Sequence, residues 1–351
     1  MRTIRSADEF IARFPRSPAL EEKVRRKNIR VTDFYIENIL RRNPDHPLIE
    51  TIVGTSAEGQ KHVSRPEAKV VKSPFLVQKY SSNAIIITTT ACPQKCSYCF
   101  RKSGKDTTIP QEELERIFSN IARADSLVEV ILSGGDPLFV SPRLLGFIAE
   151  KTANANRNRN LPIMLTIHTR LPVVAPLLFT EDVLSALRKL APANMDFHII
   201  HPDEITEEFV SICRTLCRDF PGISLRTIHP LLAGINDRVE TLKALYLHLF
   251  AEARVVPRDL ILSMPGHTPP SLMVALEDGM RIMRELSAAI PGHYLPRLVV
   301  CSPAYGKSYV DPFHQKKDGS FGYDVDADGF FEGMFIKDGS GLQHSSSCLR
   351  H

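Results

Sequence analysis

Three cysteines within eight residues are the side chains of this sequence with the clearest chemical potential. Cys92, Cys96 and Cys99 stand in the spacing C-x₃-C-x₂-C, directly after the apolar, β-branched run AIIITTT. A structural zinc ion takes four protein ligands, and most iron–sulfur clusters are held by four cysteines. A triplet therefore favours a metal site with one position open to a substrate or a cofactor. The alternative is a Cys₃His zinc site with a remote histidine as its fourth ligand.

The composition excludes several classes of protein. The chain has 351 residues, ordinary apolar and charged fractions, and a formal net charge of +4, which gives no indication of nucleic-acid binding. No apolar run approaches the ~20 residues that span a bilayer, and the first residues mix acids with bases. Seven cysteines, an odd number, do not suggest a disulfide framework. We therefore expect a cytoplasmic protein with neither nucleic acid nor membrane as a partner.

Short β-branched runs that alternate with helical patterns predict the fold class. Strands alternating with helices form a parallel sheet, and six such units predict an α/β fold with most of a TIM-like βα barrel, a partial (βα)₆ barrel. A further run, RLVV at 297–300, is a candidate for an additional strand beside it. The six runs are AIIITTT (84–90), VEVILS (128–133), PIMLTI (162–167), MDFHII (195–200), ISLRTIH (223–229) and LILSM (260–264).

The regions flanking this barrel divide the chain into three. Residues 1–75 are predicted to be a helical N-terminal extension, because Ser6 and Glu9 fit a capping box and spaced apolar residues continue to about Asn43. Residues 76–265 form the predicted barrel. Residues 266–351 form a C-terminal extension whose end is rich in Gly, Asp and Ser and has little periodicity.

Polar motifs follow the predicted strands at their carboxyl ends. In parallel βα sheets these ends meet at one rim, where functional groups gather. Gly134 and Gly135 would let the backbone approach a ligand closely, and Asp136 could accept hydrogen bonds from an ammonium group. After the cysteine loop, the motifs on this rim are SGGDPL (133–138), HTRLPVV (168–174) and HPDE (201–204).

The ordered motifs resemble the radical S-adenosylmethionine (SAM) superfamily. More closely they resemble the lysine 2,3-aminomutase family, which includes enzymes acting on a lysine of translation elongation factor P. The likeness runs from about Asn43 to about Lys307 and implies a radical SAM barrel. It is carried by NPDHPL (43–48), QKY (78–80), CSYCFRK (96–102), SGGDPL, HTRLPVV, HPDE and LLAGIND (231–237).

The resemblance implies a [4Fe–4S] cluster and SAM as cofactors. Cys92, Cys96 and Cys99 would bind three irons, and the fourth iron would chelate SAM. An electron from a donor such as flavodoxin or ferredoxin would lead to cleavage of SAM into methionine and a 5′-deoxyadenosyl radical, which abstracts a substrate hydrogen. Tyr98 would lie beside the adenine. The other residues implied in the SAM site are Gly134, Gly135, Asp136, Thr169 and His201.

The resemblance also implies pyridoxal 5′-phosphate (PLP), joined to a lysine as a Schiff base through which an amino group can migrate. The corresponding place is VVCSPAYGKSYVDP, which makes Lys307 the candidate. Three departures stand out. Ala304 and Tyr305 replace glycines, and Asn83 replaces an arginine associated with the PLP phosphate. RTIHPLLAGIND (226–237) stands where the family usually reads QSVLL before its G-x-N-D. An ordinary exposed lysine is therefore the alternative for Lys307.

The candidate substrate contacts point away from free lysine. Arg101 matches the arginine that clamps the substrate carboxylate, although a solvated loop charge is the alternative. The two aspartates that hold the distal ammonium in the lysine enzymes fall near Met264 and Cys301, and neither is acidic. A buried ammonium without a carboxylate is costly. Arg258 and Arg297 could receive an anionic or polar side chain, or could be solvated.

The sequence therefore predicts a radical SAM isomerase of the 2,3-aminomutase type. It would use PLP to form a β-amino acid from a small-molecule α-amino acid other than free lysine. Two alternatives stay open: modification of a lysyl residue on a protein such as elongation factor P, and a non-catalytic zinc or iron–sulfur protein. The ordered rim motifs argue against the latter. The substrate, the electron donor and the oligomeric state, including a homo-oligomer, are not fixed by the sequence.

Overall fold

A computed structural model of the protein describes most of the chain. Met264, Ala304, Tyr305 and the side chain of Cys301, singled out in the sequence, lie outside the described part. The described residues are 2–25, 27–53, 71–99, 101, 105–190, 193–262, 268–302, 306–316, 318–323, 335–338 and 341–344.

The strands of the described residues run in chain order β1 Thr3–Ile4, β2 Val31–Thr32, β3 Val71–Ser73, β4 Leu76–Tyr80, β5 Asn83–Thr89, β6 Glu129–Gly134, β7 Met164–Thr169, β8 Ala193–Phe197, β9 Ile223–Leu231, β10 Val256–Leu262, β11 Arg297–Ser302, β12 Gly306–Tyr309, β13 Phe335–Asp338 and β14 Gly341–His344. The α-helices are α1 Ala7–Ile11, α2 Pro18–Val24, α3 Glu50–Val53, α4 Gln111–Ile121, α5 Pro142–Asn156, α6 Leu171–Val174, α7 Glu181–Arg188, α8 Glu207–Asp219, α9 Val239–Ala253 and α10 Leu276–Ala289. Short 3₁₀ turns and one π-helical turn, Tyr35–Ile39, complete the helical elements.

Within the described ranges, one sheet of ten strands organises the fold, in the order β12-β11-β10-β9-β8-β7-β6-β5-β4-β3. Its neighbours from β5 to β11 are parallel, and the pairings at both ends are antiparallel. The six predicted strand runs are confirmed as β5 to β10. The additional run at 297–300 is β11, which joins the sheet in parallel beside β10.

The sheet curls so that its two ends meet. The backbone N–H of Lys307 in β12 donates to the hydroxyl of Tyr80 in β4, over 3.0 Å, although these strands lie near opposite ends of the strand order. Within the described ranges no ladder joins β12 to β3 or β4. The fold is therefore a partial βα barrel, closed at this seam by a side chain rather than by strand pairing.

Alternation along the strands separates a face covered by helices from a concave face. Met195 and Phe197 of β8 belong to the apolar core, and the Phe197 ring lies 5.2 Å from that of Phe209 in α8. Successive side chains of a strand point to opposite faces. Asp196, between these two apolar residues, therefore faces the concave side.

Helix α8 shows how the outer layer forms from local sequence. The Thr206 side chain accepts a hydrogen bond from the backbone N–H of Phe209 and caps the helix. Acids follow in the first turn and Arg218 stands in the last, where each complements the helix dipole. The buried residues Phe209, Val210, Cys213 and Leu216 form one stripe. Among the described residues, no helix is both long and apolar enough to cross a membrane.

The N-terminal region is less regular than the sequence pattern predicts. Ser6 caps α1 by accepting from the N–H of Glu9, as the capping box requires. Helix α1 ends at Ile11, and α2 starts again with Pro18 in its first turn, since proline is tolerated there and not in a helix interior. Strand β2, which pairs with β1, and the π-helical turn follow α2 in place of a continued helix. The division into three regions stays a prediction.

The LLAGIND segment after β9 is fixed by buried polar contacts. The Asn236 amide donates to the carbonyls of Ile200 and Pro230 at 3.1 and 3.0 Å, and its oxygen accepts from the N–H of Leu232 at 2.7 Å. Next to it, His229 is buried with its Nε2 atom 3.0 Å from the Tyr246 hydroxyl of α9. Burial lowers the pKa of His229 to about 4.

This histidine predicts acid sensitivity. The native state keeps His229 neutral while the unfolded chain is protonated below its usual pKa of about 6.5. The free energy of unfolding should therefore fall by roughly 3 kcal/mol as the pH drops from about 6.5 to the folded pKa of about 4, and level off below it. Urea unfolding of wild type and His229→Gln across this pH range measures the contribution of His229 to the free energy of unfolding. The variant should show the smaller pH dependence, whereas His248→Gln, on the exposed side of α9, should behave as wild type. Parallel curves for wild type and His229→Gln would contradict this.

Candidate active site at the carboxyl ends of the strands

The cysteine loop after β5 is held by the N-terminal segment. The N–H of Lys95 donates to the carbonyl of Arg30 at 2.8 Å, and the N–H of Ser97 donates to the carbonyl of Thr51 at 2.7 Å. The Arg30 guanidinium returns a hydrogen bond of 3.3 Å to the Cys92 carbonyl. Residues 27–53 thus wrap around the loop, a role that their sequence does not indicate.

The three loop cysteines are partly buried. Burial raises the pKa of Cys92 and of Cys96, so a bound cation is what would hold them as thiolates. Between them lies Gln94, buried, with neither side-chain polar atom hydrogen-bonded among the described residues. Buried polar groups normally have partners. These donors and the unsatisfied amide fit a loop built around a bound group.

The arrangement of donors also bears on which group fits. In the part of the chain that is described, no three His, Cys, Asp or Glu side chains converge on a point, as a single Zn²⁺ ion requires. A [4Fe–4S] cluster takes one thiolate on each of its irons, so its ligands are spread around a larger body. The cysteine triplet is therefore compatible with a cluster of this kind.

The two glycines of SGGDPL pack against the end of β5. The N–H of Gly135 donates to the Thr89 carbonyl at 2.7 Å, and the N–H of Asp136 donates to that of Ala91 at 3.0 Å. A Cβ on Gly134 would lie 2.0 Å from the Thr89 oxygen, and one on Gly135 would lie 2.1 Å from the Ala91 oxygen. Gly134 also has φ +136°, a conformation that glycine alone adopts easily. The glycines thus let this loop lie directly against the cysteine loop.

The Asp136 carboxylate joins the loops after β6 and β7. It accepts from the Thr169 hydroxyl at 2.8 Å, from the N–H of Arg170 at 2.7 Å and from the N–H of Leu138 at 3.0 Å. Burial raises its pKa to about 6, against the opposing effect of these hydrogen bonds. Its predicted role toward an ammonium group stays a prediction, and the structure gives the carboxylate a second task that the sequence did not reveal.

A buried ion pair lies behind the rim. The Arg170 guanidinium donates to Glu204 at 2.5 Å and to the His198 carbonyl at 2.9 Å. The Glu204 carboxylate also accepts from the Tyr35 hydroxyl and from the N–H of Ile200, both at 2.7 Å. Sequence reasoning missed Arg170 and Glu204, although both stand inside quoted motifs. In the sequence, each of these two residues can be recognised as a charged residue within an apolar or turn segment.

Tyr98 lies close to this ion pair. Its side chain packs against the apolar core, and burial raises the pKa of its hydroxyl, on which the charges of Arg170, Cys96 and Glu204 also act. The predicted place of Tyr98 beside an adenine stays a prediction. Arg101 is partly buried just after the cysteine loop, and its predicted carboxylate clamp is likewise a prediction.

Two motifs from distant parts of the sequence meet at His201. Asp203 Oδ2 lies 3.2 Å from His201 Nδ1 and 3.1 Å from His46 Nε2. The neighbouring imidazoles of His201 and His46 hold the pKa of Asp203 well below its usual value. Since His46 Nδ1 accepts from the N–H of Leu48, its Nε2 is the donor. NPDHPL thus secures the HPDE loop, and with it the predicted SAM residue His201, at the rim.

Asp196 is the centre of a charged group on the concave wall of the barrel. Arg226 Nε donates to one of its oxygens at 2.7 Å, Arg258 binds the other, and His168 Nε2 lies 3.3 Å away. Although burial raises the pKa of Asp196, these neighbours hold it well below its usual value. In the sequence, Asp196 can be recognised as the single acid in the otherwise largely apolar strand MDFHII.

Asp259 brings Lys307 to the same wall. Lys307 Nζ donates to its Oδ2 at 2.9 Å, and Arg297 donates to its Oδ1 at 2.8 Å. Arg258 Nε lies 3.4 Å from Oδ2, so this arginine bridges Asp196 and Asp259. Burial raises the pKa of Asp259, but the three cations outweigh it and lower the pKa. Arg258 and Arg297 are therefore paired with buried carboxylates, and neither is simply solvated.

Known proteins resemble this chain over most of its length. The family model described as Radical SAM superfamily matches residues 86–248. An L-lysine 2,3-aminomutase of Clostridium subterminale is 28% identical over 298 residues, 79% of this chain and 70% of that protein. That of Escherichia coli (strain K12) is 28% identical over 268 residues, 74% of this chain and 75% of that protein. That of Buchnera aphidicola subsp. Baizongia pistaciae is 32% identical over 234 residues, 64% of this chain and 66% of that protein. The crystal structure of Streptococcus suis SuiB bound to precursor peptide SuiA has a TM-score of 0.49 at 16% identity, over 66% of this chain and 52% of that chain.

The contact between the glycine loop and the cysteine loop predicts the effect of a single methyl group. Gly135→Ala would place a Cβ against a backbone carbonyl that cannot turn away, and so displace the cysteine loop. After anaerobic reconstitution, wild type should hold close to four irons and four sulfides per chain, and Gly135→Ala several-fold less. Gly146→Ala in α5, where the added Cβ meets open space, is the matched control and should bind as wild type. Equal iron content in all three proteins would show that this packing does not shape the site.

Proposed function

We propose that this chain, which belongs to the radical SAM superfamily and is related to the lysine 2,3-aminomutases, is a PLP-dependent amino acid 2,3-aminomutase. It would form a β-amino acid from an α-amino acid other than free lysine. The observation that carries the proposal is the place of Lys307, whose amine lies on the concave wall 2.9 Å from Asp259. Its backbone is anchored to Tyr80 across the seam of the barrel.

The rim supplies the residues that would hold the cluster and SAM. Cys92, Cys96 and Cys99 would ligate the cluster, and the loops carrying Gly135 and Thr169, tied to each other through Asp136, would border SAM beside it. When bound, the two cofactors supply the radical chemistry that removes a substrate hydrogen. The protein's part is to fix the distance between these loops through the hydrogen bonds of Asp136.

Lys307 and Asp259 would prepare the PLP site. Schiff-base formation requires a neutral amine. Asp259 orients the Lys307 amine, and neighbouring cations keep the carboxylate ionised and able to accept the hydrogen bond. A proton on Nζ must leave before the amine reacts. Asp259 therefore sets the orientation of the Lys307 amine and does not itself supply the neutral form that reacts.

The charges of the concave wall support a substrate other than lysine. Both buried aspartates there are already paired with cations, and Arg258 and Arg297 stand on the same wall. The positions expected to bind a distal ammonium, Met264 and Cys301, are not acidic. Among the described residues of this wall, an ammonium side chain would meet positive charge and two buried carboxylates that are already paired, which is costly.

The first test is the site of PLP attachment. PLP added to the protein should give an absorbance band near the visible edge, and borohydride should fix the cofactor covalently on Lys307, as read by peptide mass spectrometry. Lys307→Ala should lose both signals, and Lys243→Ala, on the exposed side of α9, should retain them. A band and an adduct that survive in Lys307→Ala would show that the lysine is misassigned.

The second test is the choice of substrate. With SAM and a reduced cluster, a panel of free amino acids should yield deoxyadenosine and a β-isomer for a neutral or acidic member and little for lysine. Arg101→Lys should lower kcat/KM roughly tenfold or more, because a point charge cannot replace the two-pronged contact with a carboxylate. Efficient conversion of lysine to β-lysine would contradict the inference that the concave wall disfavours an ammonium side chain. Turnover only with a lysine-containing protein would instead favour modification of elongation factor P or a similar protein.

A further inference from the structure

We infer that the concave wall carries an oxyanion-binding site and that its occupant is the phosphate group of PLP. The oxyanion site itself stands on the geometry alone, whereas the identity of its occupant rests on the proposed function. The site is a cation cluster formed by Arg226, Arg258, Arg297 and Lys307.

The cations stand in front of the carboxylates that pair with them. Asp196 and Asp259 are 0% exposed, whereas the side chains of the cation cluster keep part of their surface open. Those exposed fractions are 26% for Arg226, 20% for Arg258, 53% for Arg297 and 30% for Lys307. An incoming group would therefore meet guanidinium and ammonium groups first and the carboxylates not at all.

The charges of this wall are unbalanced. The four cations share Asp196 and Asp259, and the charge of a third carboxylate, Glu129, also acts on Arg258. Glu129 already accepts from the Thr166 hydroxyl at 2.5 Å. Cations thus outnumber carboxylates even when all three acids are counted. Partly buried charge in excess is costly, and an anion relieves it.

The chemistry of the cluster suits a phosphate. A phosphate monoester carries a charge of about −1.5 to −2 at pH 7 and three acceptor oxygens, and guanidinium forks bind such oxygens in pairs. Three of the four cations are arginines. Arg258, which bridges Asp196 and Asp259, and the more exposed Arg297 can each turn nitrogen donors outward while keeping a carboxylate contact.

Distance within the cofactor ties this site to Lys307. The aldehyde and the phosphate arm of PLP are attached to neighbouring carbons of one small ring. A lysine joined to the aldehyde therefore places the phosphate only a few bonds away. Arg258, Arg297 and Lys307 converge on one carboxylate, Asp259, which puts both arginines within that short reach.

The test compares PLP with pyridoxal, which has the aldehyde and lacks the phosphate. Equilibrium titrations with wild type and Arg297→Gln, the most exposed member of the cluster, should show the Kd for PLP raised roughly tenfold or more and the Kd for pyridoxal unchanged. Arg258→Gln should act in the same direction. Arg281→Gln, on the exposed side of α10, is the matched control and should bind both as wild type. Thermal unfolding shows whether each variant is folded.

A second arm uses inorganic phosphate and does not depend on PLP. Phosphate should raise the Tm of wild type and of Arg281→Gln, and it should raise that of Arg297→Gln much less. Wild type could bind no PLP and still show this pattern of phosphate stabilisation. That result would contradict both the proposed function and PLP as the occupant, and it would support the oxyanion site.

Other outcomes overturn the inference and leave the proposed function standing. An unchanged ratio of PLP to pyridoxal affinity in Arg297→Gln and Arg258→Gln would show that the arginines do not bind the phosphate. Loss of affinity for an acidic amino acid such as glutamate, with PLP affinity unchanged, would assign the site to a substrate carboxylate and overturn the phosphate as its occupant.

Discussion

A carboxylate removed from water must have its oxygens hydrogen-bonded or paired with cations, and four carboxylates impose this requirement on the site. Asp136, Asp196, Glu204 and Asp259 are buried almost completely. Each takes its partners from elements far apart in the chain. Asp136 joins the loops after β6 and β7, Glu204 joins the N-terminal region to the rim, and Asp196 and Asp259 join β7 through β12 along the concave wall. Removing one partner would leave a charge unsatisfied, so the partners are held in place.

The cysteine loop depends on these links because it has little regular structure of its own. Residues 27–53 hold one side of it through backbone hydrogen bonds, and the SGGDPL loop holds the other. Behind it, Tyr35, Arg170 and Glu204 form a buried network next to Tyr98. A site for a metal cluster must hold its ligands in fixed positions. The contacts from residues 27–53, from the SGGDPL loop and from the buried network together hold this short loop in place.

Charge divides the site into two zones. At the rim, the polar groups are backbone amides, thiols and the paired residues around Asp203 and Asp136. On the part of the concave wall that the structure describes, four cations stand over the buried carboxylates Asp196 and Asp259. Under the proposed function, the rim serves the cluster and SAM, and the wall serves PLP and the substrate. The sign of the wall then separates this chain from enzymes whose substrate ends in an ammonium group, since a cationic end is repelled there.

The sequence by itself determined the elements and their order. Short β-branched runs separated by helical patterns predicted β5 to β11, because residue type and run length are local properties, and a capping box predicted the start of α1. The helical pattern predicted up to about Asn43 is interrupted at Pro18, where α2 begins, and at the short strand β2. The cysteine triplet and the rim motifs indicated which loops carry chemistry, because their residue types and spacing are local.

Only the tertiary structure decided which of these residues meet. Lys307 reaches Tyr80 over 227 positions, and Glu204 reaches Tyr35 over 169. Such partners depend on how far the sheet curls and how its strands are staggered, and no local period encodes either quantity. For the same reason Asp196 and Asp259 looked like isolated acids in apolar strands. Their roles follow from the cations that the curled sheet places against them.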